Sequence, residues 1–173
     1  MLDDPRALLT HFLATLAYRT QKALRDAPPG FATFSAGHDV RTPAELVRHM
    51  TSVLGYARAQ FTGVRYRADP LPDLAAEIER FHAMIAALVA HLERGDALQG
   101  NTIAQLVQGP FSDAMTHAGQ IAMLRRLAGS PVAPENFVAA EISAERLGPN
   151  QSHPADPDGV WPEAPPGWKP SQA

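Results

Sequence analysis

The residues of this chain best suited to chemistry are an aspartate and a histidine four positions apart, Asp113 and His117. They lie in an apolar sequence whose spacing predicts a helix, and residues at i and i+4 share one helix face, with Cβ atoms about 5–6 Å apart. A carboxylate and an imidazole at this spacing can bind one metal ion together. A third ligand from another helix would leave coordination positions open for water or a substrate. His49 is the candidate for that ligand, because it lies between Leu46 and Val53 in the apolar stripe of an earlier helix.

Each of these three residues also has a purely structural interpretation. The two histidines would then be core residues hydrogen-bonded to a carboxylate or a carbonyl group. Asp113 would stand in the first turn of a helix that begins near Pro110, where the helix dipole favours a carboxylate. However, three polar side chains on two inward faces each need a partner that offsets their lost hydration, and one cation would serve all three. His82, near the apolar face of another predicted helix, is a weaker candidate for the same interior.

The composition restricts the kind of protein and the kind of site. A chain of 173 residues with 45% apolar and 19% charged residues is typical of one globular domain. The absence of cysteine means that any metal bound by this chain has nitrogen and oxygen ligands. The net charge of −3, with scattered lysines and arginines, argues against nucleic-acid binding. No secretory leader and no apolar run of roughly 18 residues is visible, so we expect a cytoplasmic protein that does not enter the membrane.

Apolar periodicity predicts four long helices and therefore an all-α fold, an antiparallel four-helix bundle. The helices are expected over residues of about 4–25, 43–61, 72–94 and 110–128, with an extra turn or two over 102–108. The second helix has the sharpest start, because Thr42, Pro43 and Glu45 fit the N-cap, N1 and N3 positions of a capping box. The acidic residues between 73 and 79 are expected on a solvated face at the start of the third helix.

The last part of the chain differs in character from the helical part. Seven prolines lie between residues 148 and 173, together with both tryptophans, Trp161 and Trp168. We expect a four-helix bundle over residues 1–130 and a partly irregular extension over 131–173 that packs on the bundle, with a short helix or turn around 134–144. Its tryptophans are expected to cover the bundle or a dimer partner and to screen one end of the site.

The residues around the candidate ligands resemble the DinB/YfiT-like superfamily of four-helix-bundle proteins. Members present one inward histidine on the second helix and a His-x-x-x-His pair on the fourth, followed by Gly-Gln and a Leu-Arg-x-Leu-x-Gly ending. The resemblance covers residues 5–130, and Asp113 stands where the commoner pattern has a histidine. The matching sequences are Arg48-His49-Met50, His117-Ala118-Gly119-Gln120-Ile121 and Leu124-Arg125-Arg126-Leu127-Ala128-Gly129.

The resemblance implies a divalent metal ion (Zn, Ni, Fe or Mn) with open coordination positions, held by His49, Asp113 and His117. Gln120, one turn beyond, would support a ligand or position a substrate. Arg125 would face an anionic substrate, or else lie at the surface or near the helix C-terminus. Characterised members include metal-dependent thiol transferases and a thiol-dependent isomerase. We therefore expect a thiol-dependent transferase or hydrolase-like enzyme, a homodimer that acts on a small molecule with a low-molecular-weight thiol as partner.

Three other classes remain open at this stage. The chain could be a non-catalytic dimeric helical-bundle protein, with a metal site that is intact or decayed. A phosphotransfer module needs an exposed histidine, whereas His49 and His117 are expected to face inward. A ferritin-like di-iron bundle needs two Glu-x-x-His pairs, and the sequence contains one, Glu79-x-x-His82.

Overall fold

The computed structural model describes residues 4–162 and 164–167, and within them the chain is helical, without a strand. The all-α class predicted from the sequence is confirmed. Helices α1 and α2 each pack against both α3 and α5, while α4 is a single turn that leads into α5. The helices are α1 (Pro5–Leu24), α2 (Pro43–Thr62), α3 (Leu74–Glu93), α4 (Ile103–Leu106) and α5 (Ser112–Leu127).

The helix that carries His49 begins where the sequence predicts. The Thr42 hydroxyl accepts from the Glu45 backbone N–H, and the Glu45 carboxylate accepts from the Thr42 backbone N–H at 2.8 Å, which completes the capping box. These hydrogen bonds satisfy backbone donors that have no partner inside the helix. Gly63 ends α2 with φ of +70°, in the left-handed region that favours glycine.

Apolar side chains from the four long helices form one core. On α2 the predicted stripe needs a correction, because Leu54 is fully buried whereas Val53 is half-buried at the edge of a cleft. No helix in the described ranges is long and apolar enough to cross a bilayer. The most deeply buried large side chains include Leu13, Leu16, Met50, Leu54, Phe81, Ile85, Leu88 and Phe111.

The segment before α5 does not break at Pro110 as expected. It continues from α4 through a π-helical segment, Val107–Phe111, directly into α5. A proline lacks the backbone N–H of an α-helical turn, and a π-helical turn absorbs that loss without ending the helix. The Ser112 hydroxyl donates to the Val107 carbonyl at 2.6 Å and so satisfies an acceptor in this turn.

The chain beyond Ser130 forms an arm, and its described part lies against α1 and α3. Glu135 is its main attachment: its carboxylate accepts from the Tyr18 hydroxyl at 2.6 Å and lies 3.3 Å from the Lys22 ammonium. Burial, together with this carboxylate, raises the pKa of Tyr18, whereas burial lowers the pKa of Lys22. Residues 134–144 form turns rather than a helix.

A second attachment of the arm involves His82, which the sequence made only a weaker candidate for the interior near the ligands. His82 is 2% exposed, and its Nδ1 lies 2.7 Å from the Leu147 carbonyl oxygen. This side chain therefore connects α3 to the arm and does not join the candidate ligands. Trp161 is also buried, at 6% exposure, while Trp168 lies outside the described residues.

Candidate metal centre

The structure brings together the two histidines and the aspartate singled out in the sequence. His49 comes from α2, and Asp113 and His117 come from successive turns of α5. One candidate ligand atom from each residue lies within 4.8 Å of the other two. The His117 Nε2 atom is 3.3 Å from one Asp113 oxygen, and the His49 Nε2 atom is 3.8 Å from the other.

The two contacts of Asp113 are close to the separations expected for ligands of a common ion. Metal–nitrogen and metal–oxygen bonds of about 2.0–2.2 Å put neighbouring ligand atoms about 3–3.5 Å apart. The contact between His117 and Asp113 already has this length, and the contact between His49 and Asp113 exceeds it by a few tenths of an ångström. Because the His49 and Asp113 side chains are partly exposed, they can move closer to an ion without disturbing the core.

Gln120 fixes the orientation of the more buried histidine. Its side-chain oxygen lies 2.7 Å from His117 Nδ1, one helical turn along the same face of α5. An amide oxygen only accepts hydrogen bonds, so Nδ1 is the donor in this contact. The other ring nitrogen of His117, Nε2, lies 3.3 Å from an Asp113 oxygen and is the nitrogen that could bind a metal ion.

The cluster has no internal hydrogen bond that would make an ion unnecessary. Within the described residues, Asp113 forms no hydrogen bond to either imidazole, and the two rings meet edge to face with centroids 4.8 Å apart. Burial, and next the charge of Arg41, lower the pKa of His49, so this ring is neutral at neutral pH. Two imidazole nitrogens and a carboxylate oxygen thus lie close together, an arrangement that a cation stabilises.

The site lies at the surface rather than in the interior that the sequence suggested. The side chain of His117 is 9% exposed, that of His49 is 32% exposed, and that of Asp113 is 48% exposed. The inward face at this point of the helix is occupied by Pro110, Phe111 and Ala114, which leaves the aspartate on the outer side. The candidate ligands therefore face solvent, where a small molecule can reach them.

A cleft of about 470 Å³ adjoins the site on the side of His49, and we call it the arginine cleft. One wall is the loop after α2, which packs closely on the helix because Gly55 has no Cβ to collide with the Tyr66 ring. The Ala68 backbone N–H also donates to the Ser52 hydroxyl at 3.0 Å. The cleft is lined by Arg41, Glu45, Arg48, His49, Ser52, Tyr66, Arg67 and Ala68.

A second cleft, of about 620 Å³, adjoins the site on the side of Asp113. It is formed by the exposed edge of α2, the π-helical segment and the first turns of α5. No described arm residue lines either cleft, so the described part of the arm does not screen them. The lining residues are Val53, Tyr56, Gln108, Gly109, Pro110, Ser112, Asp113 and Thr116.

Two charged residues are more deeply buried than the sequence predicted. Arg125, expected at a substrate, at the surface or near the helix C-terminus, is 4% exposed in the last turn of α5 and donates to carbonyl groups at the end of α1 and to that of Ser130. Glu77, expected on a solvated face, is 1% exposed, and it accepts from the Leu71 backbone N–H and forms ion pairs with Arg80 and Arg48. Both positions fall on inward helix faces, which a charged residue occupies when partners from other segments satisfy it.

The residues that give the arginine cleft its charge were not predicted from the sequence. Arg41 precedes the α2 capping box, and Arg67 lies in the loop after α2. They are far from each other in the sequence and belong to no motif. The only available signal was the position of Arg41, eight residues before His49.

The fold and the cluster define a class: an all-helical protein with a surface cluster of two histidines and one aspartate that could hold a metal ion. The chain matches no protein-family model, no curated protein and no solved structure.

Proposed function

We propose that this protein binds a divalent metal ion through His49, Asp113 and His117 and uses it in chemistry on a small molecule. The observation that carries the proposal is the convergence of three ligand atoms within 4.8 Å, with the His117 ring held in the ligating form by Gln120. The proposal includes membership of the DinB/YfiT-like superfamily, with an antiparallel four-helix bundle. The packing of α1 and α2 against both α3 and α5 supports that arrangement.

The ligand set limits the identity of the ion. Two imidazole nitrogens and one carboxylate oxygen, with the remaining positions open, suit Fe(II), Mn, Ni or Zn. The aspartate adds a negative charge and a hard oxygen donor that three histidines would lack. Because the side chain of Asp113 is about half exposed, the open positions face solvent.

The chemistry we propose is a thiol-dependent transfer or a hydrolysis-like reaction. A divalent ion in such a site lowers the pKa of a bound water or thiol. The chain contains no cysteine, so a thiol nucleophile must come from a small molecule. The residues of the chain would hold the ligand geometry, and the two clefts would hold the reactants. A homodimer and a cytoplasmic location belong to the same proposal.

The alternative is a non-catalytic helical protein in which the three residues form only a polar cluster. Such a cluster needs a proton between Asp113 and an imidazole, which would bond them directly. The 3.3 Å contact between Asp113 and His117 is short enough for an ion pair with a protonated ring. The absence of a described hydrogen bond in the cluster, and the lowered pKa of His49, favour the metal site.

Metal binding by the full chain tests the proposal. We expect chelator-treated protein to take up one Zn(II) or Co(II) ion per chain, measured by elemental analysis and calorimetry. At a free metal concentration of about 100 times Kd, binding adds about 2.7 kcal/mol to the free energy of unfolding. A low-molecular-weight thiol is expected to change the absorption spectrum of the Co(II) protein. The proposal is wrong if no metal binds, and its thiol part is wrong if metal binds and the spectrum does not respond.

Gln120 provides a more selective prediction. Replacing it with leucine removes the acceptor for the Nδ1–H of His117 and frees the ring to rotate. We expect the metal Kd to rise by about 10–100-fold, with little change in the unfolding midpoint because Gln120 is only half-buried. Gln120→Glu keeps the acceptor and is expected to keep most of the affinity. Equal metal binding by Gln120→Leu and wild type would show that this contact does not support the site.

A further inference from the structure

The arginine cleft beside His49 carries positive charge that the proposed metal chemistry does not explain. Three of the side chains that line it are arginines, against one glutamate. Arg41 and His49 line this cleft together. The cleft therefore combines a candidate metal ligand with guanidinium groups in one open cavity.

The three arginines are not equivalent. Arg48 is partly neutralised, because its guanidinium lies 3.6 Å from the buried carboxylate of Glu77 and 4.0 Å from that of Glu45. The Glu45 carboxylate is itself held by the Thr42 backbone N–H and hydroxyl. The charges of Arg48 and Glu45 are thus largely balanced by partners within the protein, and their side chains form part of the wall of the cleft.

Arg41 and Arg67 have no such partners. Both are exposed, and neither forms an ion pair or a side-chain hydrogen bond in the described part of the chain. Their backbones are nevertheless fixed: Arg41 precedes the capping box of α2, and Arg67 lies between Tyr66, packed on Gly55, and Ala68, bonded to Ser52. Their guanidinium donors are consequently available to a ligand from positions that the fold determines.

We propose that Arg41 and Arg67 bind an oxyanion group, a carboxylate or a phosphate, on the small molecule that reacts beside His49. This inference rests on the proposed metal-dependent function and names the substrate class. A guanidinium binds a carboxylate or phosphate through two parallel N–H bonds, which orient the ligand as well as hold it. The anionic end of the substrate would lie in the arginine cleft, and its reacting end would lie at the three candidate ligands.

The test compares anionic and neutral thiol probes on the full chain loaded with Co(II). The probes are 3-mercaptopropionate, its methyl ester and 2-mercaptoethylphosphonate, and the cobalt–thiolate absorption reports their Kd values. We expect the double variant Arg41→Gln/Arg67→Gln to reduce the preference for the acid over its ester by about five- to twentyfold. The ratio of the Kd values for ester and acid is compared between wild type and variant, so the difference in thiol pKa between the two probes cancels. The anionic probe that loses more affinity identifies the oxyanion.

The matched control is Arg65→Gln, an exposed arginine of the same loop that lines a different cleft. It is expected to keep the wild-type preference, and the ester is expected to bind equally well to all three proteins. A preference for the acid that survives in the double variant, or that is lost equally in Arg65→Gln, overturns the proposal. Equal Co(II) content in the three proteins shows that the metal site itself is intact.

Failure of the metal proposal would be seen separately. If the wild-type chain takes up no Co(II), or if thiols leave the spectrum of the Co(II) protein unchanged, inorganic phosphate is titrated into the metal-free protein while the arginine Nε–Hε signals are followed by NMR. Shifts confined to Arg41 and Arg67 then support an oxyanion cleft without a metal function. Shifts that include Arg65 equally, or no shifts, overturn the proposal that Arg41 and Arg67 bind an oxyanion.

Discussion

Replacing His117 with alanine is expected to abolish stoichiometric metal binding. The loss should exceed the roughly 10–100-fold drop in affinity that follows removal of a supporting hydrogen bond, because a direct ligand is removed. His117 is the most buried of the three candidate ligands, and its Nε2 atom lies 3.3 Å from Asp113. Without it, only His49 and Asp113 remain as ligands, and water competes with these two partly exposed side chains for the metal ion. Calorimetric titration with Zn(II) measures the effect.

A matched control separates metal ligation from a general effect of losing a histidine. His91 also pairs with an aspartate, Asp96, at 2.7 Å, and it stacks on the Phe61 ring. His91→Ala is expected to keep full metal binding. Circular dichroism establishes that both variants are folded. Unchanged metal uptake in folded His117→Ala would contradict the assignment of the site.

Asp113 allows the departure from the DinB/YfiT-like pattern to be examined directly. Asp113→His introduces the histidine that the DinB/YfiT-like pattern has at this position and replaces a charged oxygen ligand with a neutral nitrogen. The three-residue cluster remains, so this substitution bears on the relative affinity for different metals rather than on the existence of the site.

The location of the three candidate ligands could be predicted because local rules determine it. The spacing of Asp113 and His117 sets their common helix face, and His49 lies beside the apolar stripe with which α2 packs against α5. The exposure of the site could not be predicted in the same way. It depends on which side chains fill the core around Pro110, and a π-helical turn alters the register there.

Residues whose partners are distant in the sequence were the least predictable. His82 lies on an inward face and was therefore considered with the ligands, yet its partner is the Leu147 carbonyl, 65 residues away. Glu77 belongs to an acidic helix start, but its burial depends on Arg48 from another helix. Helical periodicity indicates the direction of a side chain and carries no information on the segment that it meets.

Arg125 is another side chain whose partners are distant in the sequence. We expect Arg125→Met to lower the free energy of unfolding by about 3 kcal/mol. A guanidinium has five N–H groups, and here each has an acceptor. They donate to the carbonyl oxygens of Ala23, Arg25, Asp26 and Ser130 and to the Ser130 hydroxyl, at 2.8–3.3 Å. Methionine keeps the apolar length of the side chain and leaves these acceptors without a charged donor.

The same contacts stabilise the backbone conformation with which the chain leaves α1. Asp26 has φ of +51°, a left-handed conformation that is unfavourable for a residue other than glycine, and Arg125 binds its carbonyl group and that of Arg25. Burial lowers the pKa of Arg125, but an arginine stays charged at neutral pH and complements the negative end of the α1 dipole.

Urea unfolding of Arg125→Met, Arg125→Lys and the exposed control Arg65→Met measures this contribution. Lysine retains the charge but has three N–H groups on one nitrogen, so it cannot reach the same set of acceptors, and an intermediate loss is expected. Arg65→Met is expected to stay within about 0.5 kcal/mol of wild type. If Arg125→Met also loses less than about 1 kcal/mol, the buried guanidinium does not hold the end of α1. If it loses about 3 kcal/mol while metal binding is retained, Arg125 supports the fold and not the metal site.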